Sequence, residues 1–280
     1  MGDLVEDVVA HLAGPLRTGA DAPAHISRHR GGSAANVAAV AARLTGRSRF
    51  VGAVGQDQTA CRLVDALSAL GVDCQVQHRG RTGTILALVG RDGERTFVTD
   101  RGAAPSLTMS TTDVLEGVTV LHLPGYGLAG GVLAETLLDL ADTAHDRGIP
   151  VSADPSSLSV AAELGVEGYR EALTALHPDV LLPNAVEAEQ LDLVDRPLAP
   201  ITVITAGADP TLVVDGPARS TVPVPRRDVV DSTGAGDAFA AAFLTAWAAG
   251  AVPTEAVEHG HASAARVIGG PGADWWEDGP

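Results

Sequence analysis

The stretch Asp231-Ser232-Thr233-Gly234-Ala235-Gly236-Asp237 holds the residues best suited to chemistry. It is a polar loop closed by two glycines and a small residue, and it runs into the unbroken apolar segment Ala240-Ala241-Ala242-Phe243-Leu244. That pattern predicts a loop opening into a helix N-terminus. Unpaired backbone N–H groups and the positive end of the helix dipole gather there and favour an anion. Glycine lets the backbone come close to it. Asp237 then sets a carboxylate beside the bound anion. In an inert fold it would be a helix cap. Beside a transferring phosphoryl group it would be a general base.

Other groupings could join such chemistry. Gly31-Gly32-Ser33-Ala34-Ala35-Asn36 opens a helix of small residues. It reads either as a capped helix with tight alanine packing, or as backbone brought close to a polyol with Asn36 bonding a hydroxyl. Asn184-Ala185-Val186-Glu187 is a capping box in all but the usual hydroxyl. Alternatively it is a magnesium site in which Glu187 acts through ordered waters, since magnesium keeps several waters and needs few carboxylates. Asp7 is a lone acid near the start, either solvated or gripping sugar hydroxyls from a strand end. Arg79, Arg81, Arg91, Arg95 and Arg101 cluster in one short region, as a solvated hairpin face or as a basic lid over phosphates.

These residues need elements to position them. From about residue 118 strands and helices alternate. Strand character falls at 118–123, 151–153, 180–182 and 201–205, and helical character at 133–145, stopped by Gly148, and from Asn184 through Leu191. Apolar strands alternating with helices predict a parallel sheet covered on both faces. Ligands then sit at the carboxyl ends of the strands, where Asp154, Asn184, Gly207 and the loop before Asp237 all fall. The first part differs. Residues 34–44 and 61–70 read as helices, the second stopped by Gly71. Strands at 84–89 and 95–99 flank Gly90-Arg91-Asp92-Gly93, a hairpin signal, and 5–11 is available to pair with them. The expectation is a single domain over 1–280, with lid strands at about 4–30 and 74–101.

At 280 residues the chain can bury a large core. With 45% hydrophobic and 19% charged residues and a mean hydropathy of +0.16, it has a globular composition. No run is apolar enough to span a bilayer, and a signal peptide's basic and apolar regions are missing. Cys61 and Cys74 make no disulfide framework, and no Cys/His spacing suggests zinc. The expectation is a reducing, cytoplasmic protein. A net charge of −16 and the absence of lysine argue against nucleic-acid and membrane partners. Such a surface also repels ATP, so a phosphate site must create its own positive potential. No Gly-x-Gly-x-x-Gly follows a first strand with an acid about 20 residues on, which argues against a dinucleotide oxidoreductase.

Residues 31–36 and 231–237, in this order and spacing, resemble the two signature motifs of the ribokinase-like (PfkB) carbohydrate kinases, over nearly the whole chain. The resemblance implies a three-layer α/β/α fold with a mainly parallel sheet and a β-sheet lid. It implies an enzyme that uses ATP and magnesium to phosphorylate a hydroxymethyl group of a small sugar, sugar acid or nucleoside. By that resemblance Asp237 takes the proton from the substrate hydroxyl, and the N–H groups of Gly234, Ala235 and Gly236 hold the transferring phosphate. Asp7, Gly32 and Asn36 hold the sugar, and Arg101 of the lid offsets phosphate charge. Asn184 and Glu187 organise phosphate and magnesium. Thr205 and Gly207 border the nucleotide, with His261 and Gly272 near its base. Asp231 matches the position from which many members build a monovalent-cation site, which makes potassium a candidate activator. Lid strands in such folds often pair across a homodimer.

The chain departs from that pattern. Gly2-Asp3 stands where the family ends a full apolar first strand, whose near absence would expose neighbouring strand edges. Residues 190–200 carry two prolines where a further helix normally precedes the next strand. Pro210 takes the place of an expected glycine. Val5 replaces the asparagine of ribokinases, and the glutamate expected near Pro124 or Gly125 is missing, which argues against ribose. Glu94-Arg95-Thr96 and Arg101 are similar to kinases of acidic or ketose sugars, such as 2-keto-3-deoxygluconate. A different class of reading is a decayed kinase that only binds a sugar or nucleotide. The intact Gly-Ala-Gly-Asp speaks against it.

Overall fold

A computed structural model of the chain describes residues 1–91, 94–108, 111–156 and 158–269. In chain order the elements are β1 (Val5–Leu12), β2 (Ala24–Gly31), α1 (Ser33–Thr45), β3 (Ser48–Val54), α2 (Gln58–Ala69), β4 (Val72–His78), β5 (Gly83–Val89), β6 (Arg95–Asp100), α3 (Thr111–Val114), β7 (Leu121–Pro124), α4 (Gly131–Asp146), β8 (Val151–Asp154), α5 (Leu158–Leu164), α6 (Val166–Ala175), β9 (Val180–Leu181), α7 (Ala185–Gln190), β10 (Ile201–Ala206), β11 (Asp209–Asp215), β12 (Ala218–Val222), α8 (Ala235–Ala248) and α9 (Pro253–Val267).

The central sheet runs β12-β11-β10-β9-β8-β7. Strands β7 to β10 are parallel, and β11 and β12 add antiparallel at one edge. Consecutive apolar residues appear on its strands because successive side chains point to opposite, equally covered faces. Val180 and Leu182 join one core, with residues of α1, α2, α8 and α9. Leu181 between them joins a second, with residues of α4, α5 and α6. Val203 and Ile204 divide the same way. The result is the expected three-layer α/β/α arrangement. Residues 191–200 form turns and bends without a helix.

Strands β3 and β4 form a separate parallel pair. Two backbone bonds span the gap between this pair and β7. The Met1 amino group donates to His122 O at 2.9 Å, and the Gly2 N–H to Val51 O at 3.0 Å. The strand edges expected to be bare are thus bridged at this one level.

The lid is a four-stranded sheet in the order β2-β1-β5-β6. β1 lies antiparallel to β2 and parallel to β5, while β5 and β6 form the expected antiparallel hairpin. Its tip, at 92–93, lies outside the described residues. The expected lid span of 74–101 takes in too much. Residues 74–78 belong to β4 and pair with β3, not with the lid. Strand character in sequence does not name a partner, and a parallel partner is never the next strand along a tight turn. Among the described residues no helix is long and apolar enough to cross a membrane.

Candidate active site

Helices α1 and α8 begin beside one another, and their first turns carry the site. Gly234 caps α8 in the left-handed conformation, with φ 77° and ψ 1°, a geometry that favours glycine. The first turn of α8 follows, and its amides have no acceptor one turn back. Ala235 N–H is drawn into a bond with Ser232 O at 3.2 Å. Of the three expected phosphate donors, this one is therefore engaged within the loop, while Gly234 and Gly236 flank it.

Asp237 lies half-buried in that turn. Its Oδ1 accepts from the Ser33 hydroxyl at 2.7 Å and its Oδ2 from Asn36 Nδ2 at 2.8 Å. Asn36 Oδ1 in turn accepts from Arg30 at 2.8 Å. Burial raises the pKa of Asp237 above the usual carboxylate range, and the bonds from Ser33 and Asn36 and the charge of Arg30 offset part of the rise. The carboxylate is thus oriented by α1 and made more basic by its surroundings, as a general base requires. Both ends of the Asn36 amide are used on protein partners, so its geometry is that of a link from Arg30 to Asp237.

Two further acids converge from the strand ends. Glu187 and Asn184 form a capping box at the start of α7. Asn184 N–H donates to Glu187 Oε2 at 2.9 Å and Glu187 N–H to Asn184 Oδ1 at 3.0 Å. Glu187 is buried, which raises its pKa against the lowering effect of these bonds. Asp154, at the end of β8, lies well above the usual carboxylate range. Burial is the main cause, and the charges of Glu187 and Asp237 add to it. Among the described residues no three His, Cys, Asp or Glu side chains stand close enough to hold a metal ion directly. An acid raised by two acidic neighbours fits a hydrated magnesium ion, which binds few carboxylates and keeps its waters.

The glycines of residues 31–36 are fixed by close approach. A Cβ on Gly31 would lie 2.2 Å from Asp7 Oδ1. One on Gly32, at φ 104°, would lie 2.1 Å from the Asp3 carbonyl oxygen. Asp7 thus sits directly over the start of α1. Thr205 joins Asn184 in an isolated parallel bridge, and its N–H donates to Pro183 O at 3.0 Å. Gly207, at φ 61°, turns β10 into β11.

Several expected residues lie elsewhere. Arg101 does not reach for phosphate. Its guanidinium forms a two-point bond to Asp3, with both distances 2.8 Å, and donates to Tyr126 O at 2.8 Å. Asp231, expected to ligate a monovalent cation, instead accepts from Arg95 at 2.6 Å. With Arg95 and Arg101 both committed to carboxylates of the chain, the likeness to acid-sugar kinases loses its support. The rest of the arginine cluster is spread as well. Arg79 bonds Ser106 O and Thr108 Oγ1, Arg81 pairs with Asp100, and Arg91 is exposed. His261 packs on α9 inside the core, 5.6 Å from the Phe239 ring and bonded to Thr211 at 2.8 Å. Gly272 lies outside the described residues. Sequence left Arg30 without a role. It marked Ser33 only within the Gly31–Asn36 motif, Asp154 only as an acid at a strand end, and Arg95 only as part of the basic cluster, not as the partner of Asp231.

A carboxylate at a helix N-terminus, oriented by a glycine-led helix and flanked by acids at parallel strand ends, is an arrangement suited to small-molecule phosphoryl transfer. The profile of the pfkB family carbohydrate kinases matches residues 1–275, so the chain belongs to that family of enzymes. The ATP-dependent ribose-1-phosphate kinase of Halopiger xanaduensis is 31% identical, over 91% of this chain and 86% of its own length. The adenosine kinase of Saccharomyces cerevisiae is 31% identical, over 76% of this chain and 70% of its own. The bifunctional protein HldE of Pseudomonas aeruginosa is also 31% identical, but the match spans only 59% of that longer protein. Among solved structures, the adenosine kinase of Sinorhizobium meliloti superposes with a TM-score of 0.84 at 25% identity, covering 97% of this chain and 93% of that one.

Proposed function

We propose that the chain transfers the terminal phosphoryl group of ATP to a hydroxymethyl group of a small sugar or nucleoside. The observation that carries this reading is the Asp237 carboxylate, half-buried at the N-terminus of α8 and aimed by Ser33 and Asn36. Deprotonated, it takes the proton from the attacking hydroxyl. The Gly234 and Gly236 N–H groups stabilise charge on the transferred phosphoryl group. Asp7, over Gly31, grips the acceptor's hydroxyls. Thr205 and Gly207 border the nucleotide. Asn184 and Glu187, with Asp154, would hold hydrated magnesium, which when bound neutralises phosphate charge. Relatives named for ribose-1-phosphate and adenosine support a sugar or nucleoside acceptor.

The test is ADP release across sugars, sugar phosphates, sugar acids and nucleosides. Turnover is expected with at least one. Asp237→Asn is expected to lower it by roughly 10²–10⁴-fold, with ATP binding intact by calorimetry. Full activity in that variant removes Asp237 from the mechanism. Ligand binding without turnover for every acceptor points instead to a binding protein.

Pairing of two copies through the lid completes the reading. Its support is the sheet face where Ile26 and Val98 are more than half exposed. A monomer in sedimentation at micromolar concentration would end it.

A further inference from the structure

Arg95 crosses from the lid to the loop that precedes α8. Its Nη2 donates to Asp231 Oδ1 at 2.6 Å, and its Nη1 donates to the Thr233 hydroxyl. The same Asp231 oxygen accepts the Thr233 N–H at 2.8 Å and the Thr233 hydroxyl at 2.7 Å. One guanidinium thus closes a knot of four bonds at the head of the loop. On the other side, the Val230 and Asp231 N–H groups donate to Ile268 O at 2.8 and 3.4 Å. Residues 223–234 otherwise contain no helix or strand. A coil of that kind keeps its conformational freedom unless specific bonds remove it. Gly234 and Gly236 lie immediately beyond the knot, so its geometry passes directly to the amides that would face phosphate.

The contact is also a bridge between parts of the molecule. Arg95 opens β6, the edge strand of the lid, and its partner lies 136 residues away in sequence. Arg79, Arg81 and Arg101 are engaged elsewhere. The charge on Arg95 is permanent, and its planar fork can hold a carboxylate and a hydroxyl together.

We propose that Arg95 is a positioning residue for phosphoryl transfer. It locks the 231–236 loop through Asp231 and Thr233, so that the phosphate-binding amides are set only while the lid lies across the site. At Asp231 its guanidinium does the work that a monovalent cation would otherwise do. The rate readout rests on the kinase reading above, whereas the loop readout does not, so the two fail separately.

The experiment compares wild type with Arg95→Met, Arg95→Lys, Asp231→Asn and the Arg95→Met/Asp231→Asn double variant. Arg95→Met is expected to lower kcat by about 10- to 100-fold, the scale of a small misplacement of reacting groups, with KM for ATP changed less than about threefold. Arg95→Lys restores part of the loss. The double variant is no slower than the worse single one, because both changes break one contact. Losses that multiply, or a fall in ATP affinity with kcat preserved, overturn the assignment. Wild type is expected to run within about twofold of the same rate in potassium and in choline salts. Stronger potassium activation shows that Asp231 holds a cation instead, and overturns it too. Amide exchange without any ligand gives the independent check. Protection at 231–236 falls in Arg95→Met while the core strands stay protected. Unchanged protection there refutes the lock, even if no acceptor is ever found.

Discussion

At the scale of single residues the proposed phosphoryl transfer turns on how basic one carboxylate is. Burial lifts Asp237, and Ser33, Asn36 and Arg30 hold it back. A base must be deprotonated to act, so the rate is lost as pH falls through its raised pKa. The acid limb of kcat/KM is therefore expected above the ordinary carboxylate range. Asn36→Ala removes a donor that favours the charged form, so that limb should move further up in pH as the plateau falls. A pH–rate profile of the two proteins between pH 5 and 9 measures this. A limb that does not move would show that the group titrating is not Asp237. Asp237 was legible in sequence because its loop, glycines and helix are contiguous. Its partners were not. Ser33 and Asn36 lie 204 and 201 residues away, and no local pattern links them. Asn36 was picked out for a substrate hydroxyl, yet its amide joins Arg30 to Asp237.

At the scale of elements, β1, β2 and α1 must meet closely to place Asp7. Gly31 and Gly32 permit this in different ways, and substitutions should separate them. A Cβ on Gly31 meets the end of a side chain that can swing aside. Gly31→Ala should therefore fold normally and raise KM for the acceptor by at least about tenfold, with KM for ATP unchanged. A Cβ on Gly32 meets the Asp3 carbonyl, and the backbone there holds a positive φ of 104° that a side chain strains. Gly32→Ala should cost stability, roughly 1–3 kcal/mol, read from urea unfolding. Equal acceptor KM in Gly31→Ala and wild type would take Asp7 out of the substrate site. The helices here were readable from period and stop signals, and the β5–β6 hairpin from its turn residues. β2 was not readable as a strand of its own, since Ile26 is its sole large apolar residue among polar ones. β4 reads as a strand, but nothing in its own residues distinguishes the lid from β3 as its partner.

At the scale of the whole molecule, two cores grip one sheet, and the alternation of apolar strands with helices made that legible. How the sheet divides between β7 and β3 was not, because it depends on backbone bonds made by Met1 and Gly2. His122, on β7 beside this gap, is buried, with Nδ1 3.2 Å from the Ser152 hydroxyl. Burial, with a smaller contribution from the nearby amino terminus, lowers its pKa to about 3. An unfolded chain would protonate this histidine near its ordinary value of 6.5, while the folded one excludes the proton. Its contribution to stability is thus intact above pH 6.5 and is lost progressively as pH falls toward 3. One unit below the ordinary value the loss amounts to about 1.4 kcal/mol. The raised carboxylates Asp154, Glu187 and Asp237 act in the opposite sense, because the folded state binds their protons more readily than the unfolded state does. A single pH curve therefore mixes both effects. Comparison with His122→Gln, whose amide can still reach Ser152, isolates the histidine. Between pH 7.5 and 5.5, urea unfolding of wild type should lose about 1.4 kcal/mol more than the variant. Parallel losses would mean that His122 takes up its proton without unfolding, and that the sheet near β7 admits water.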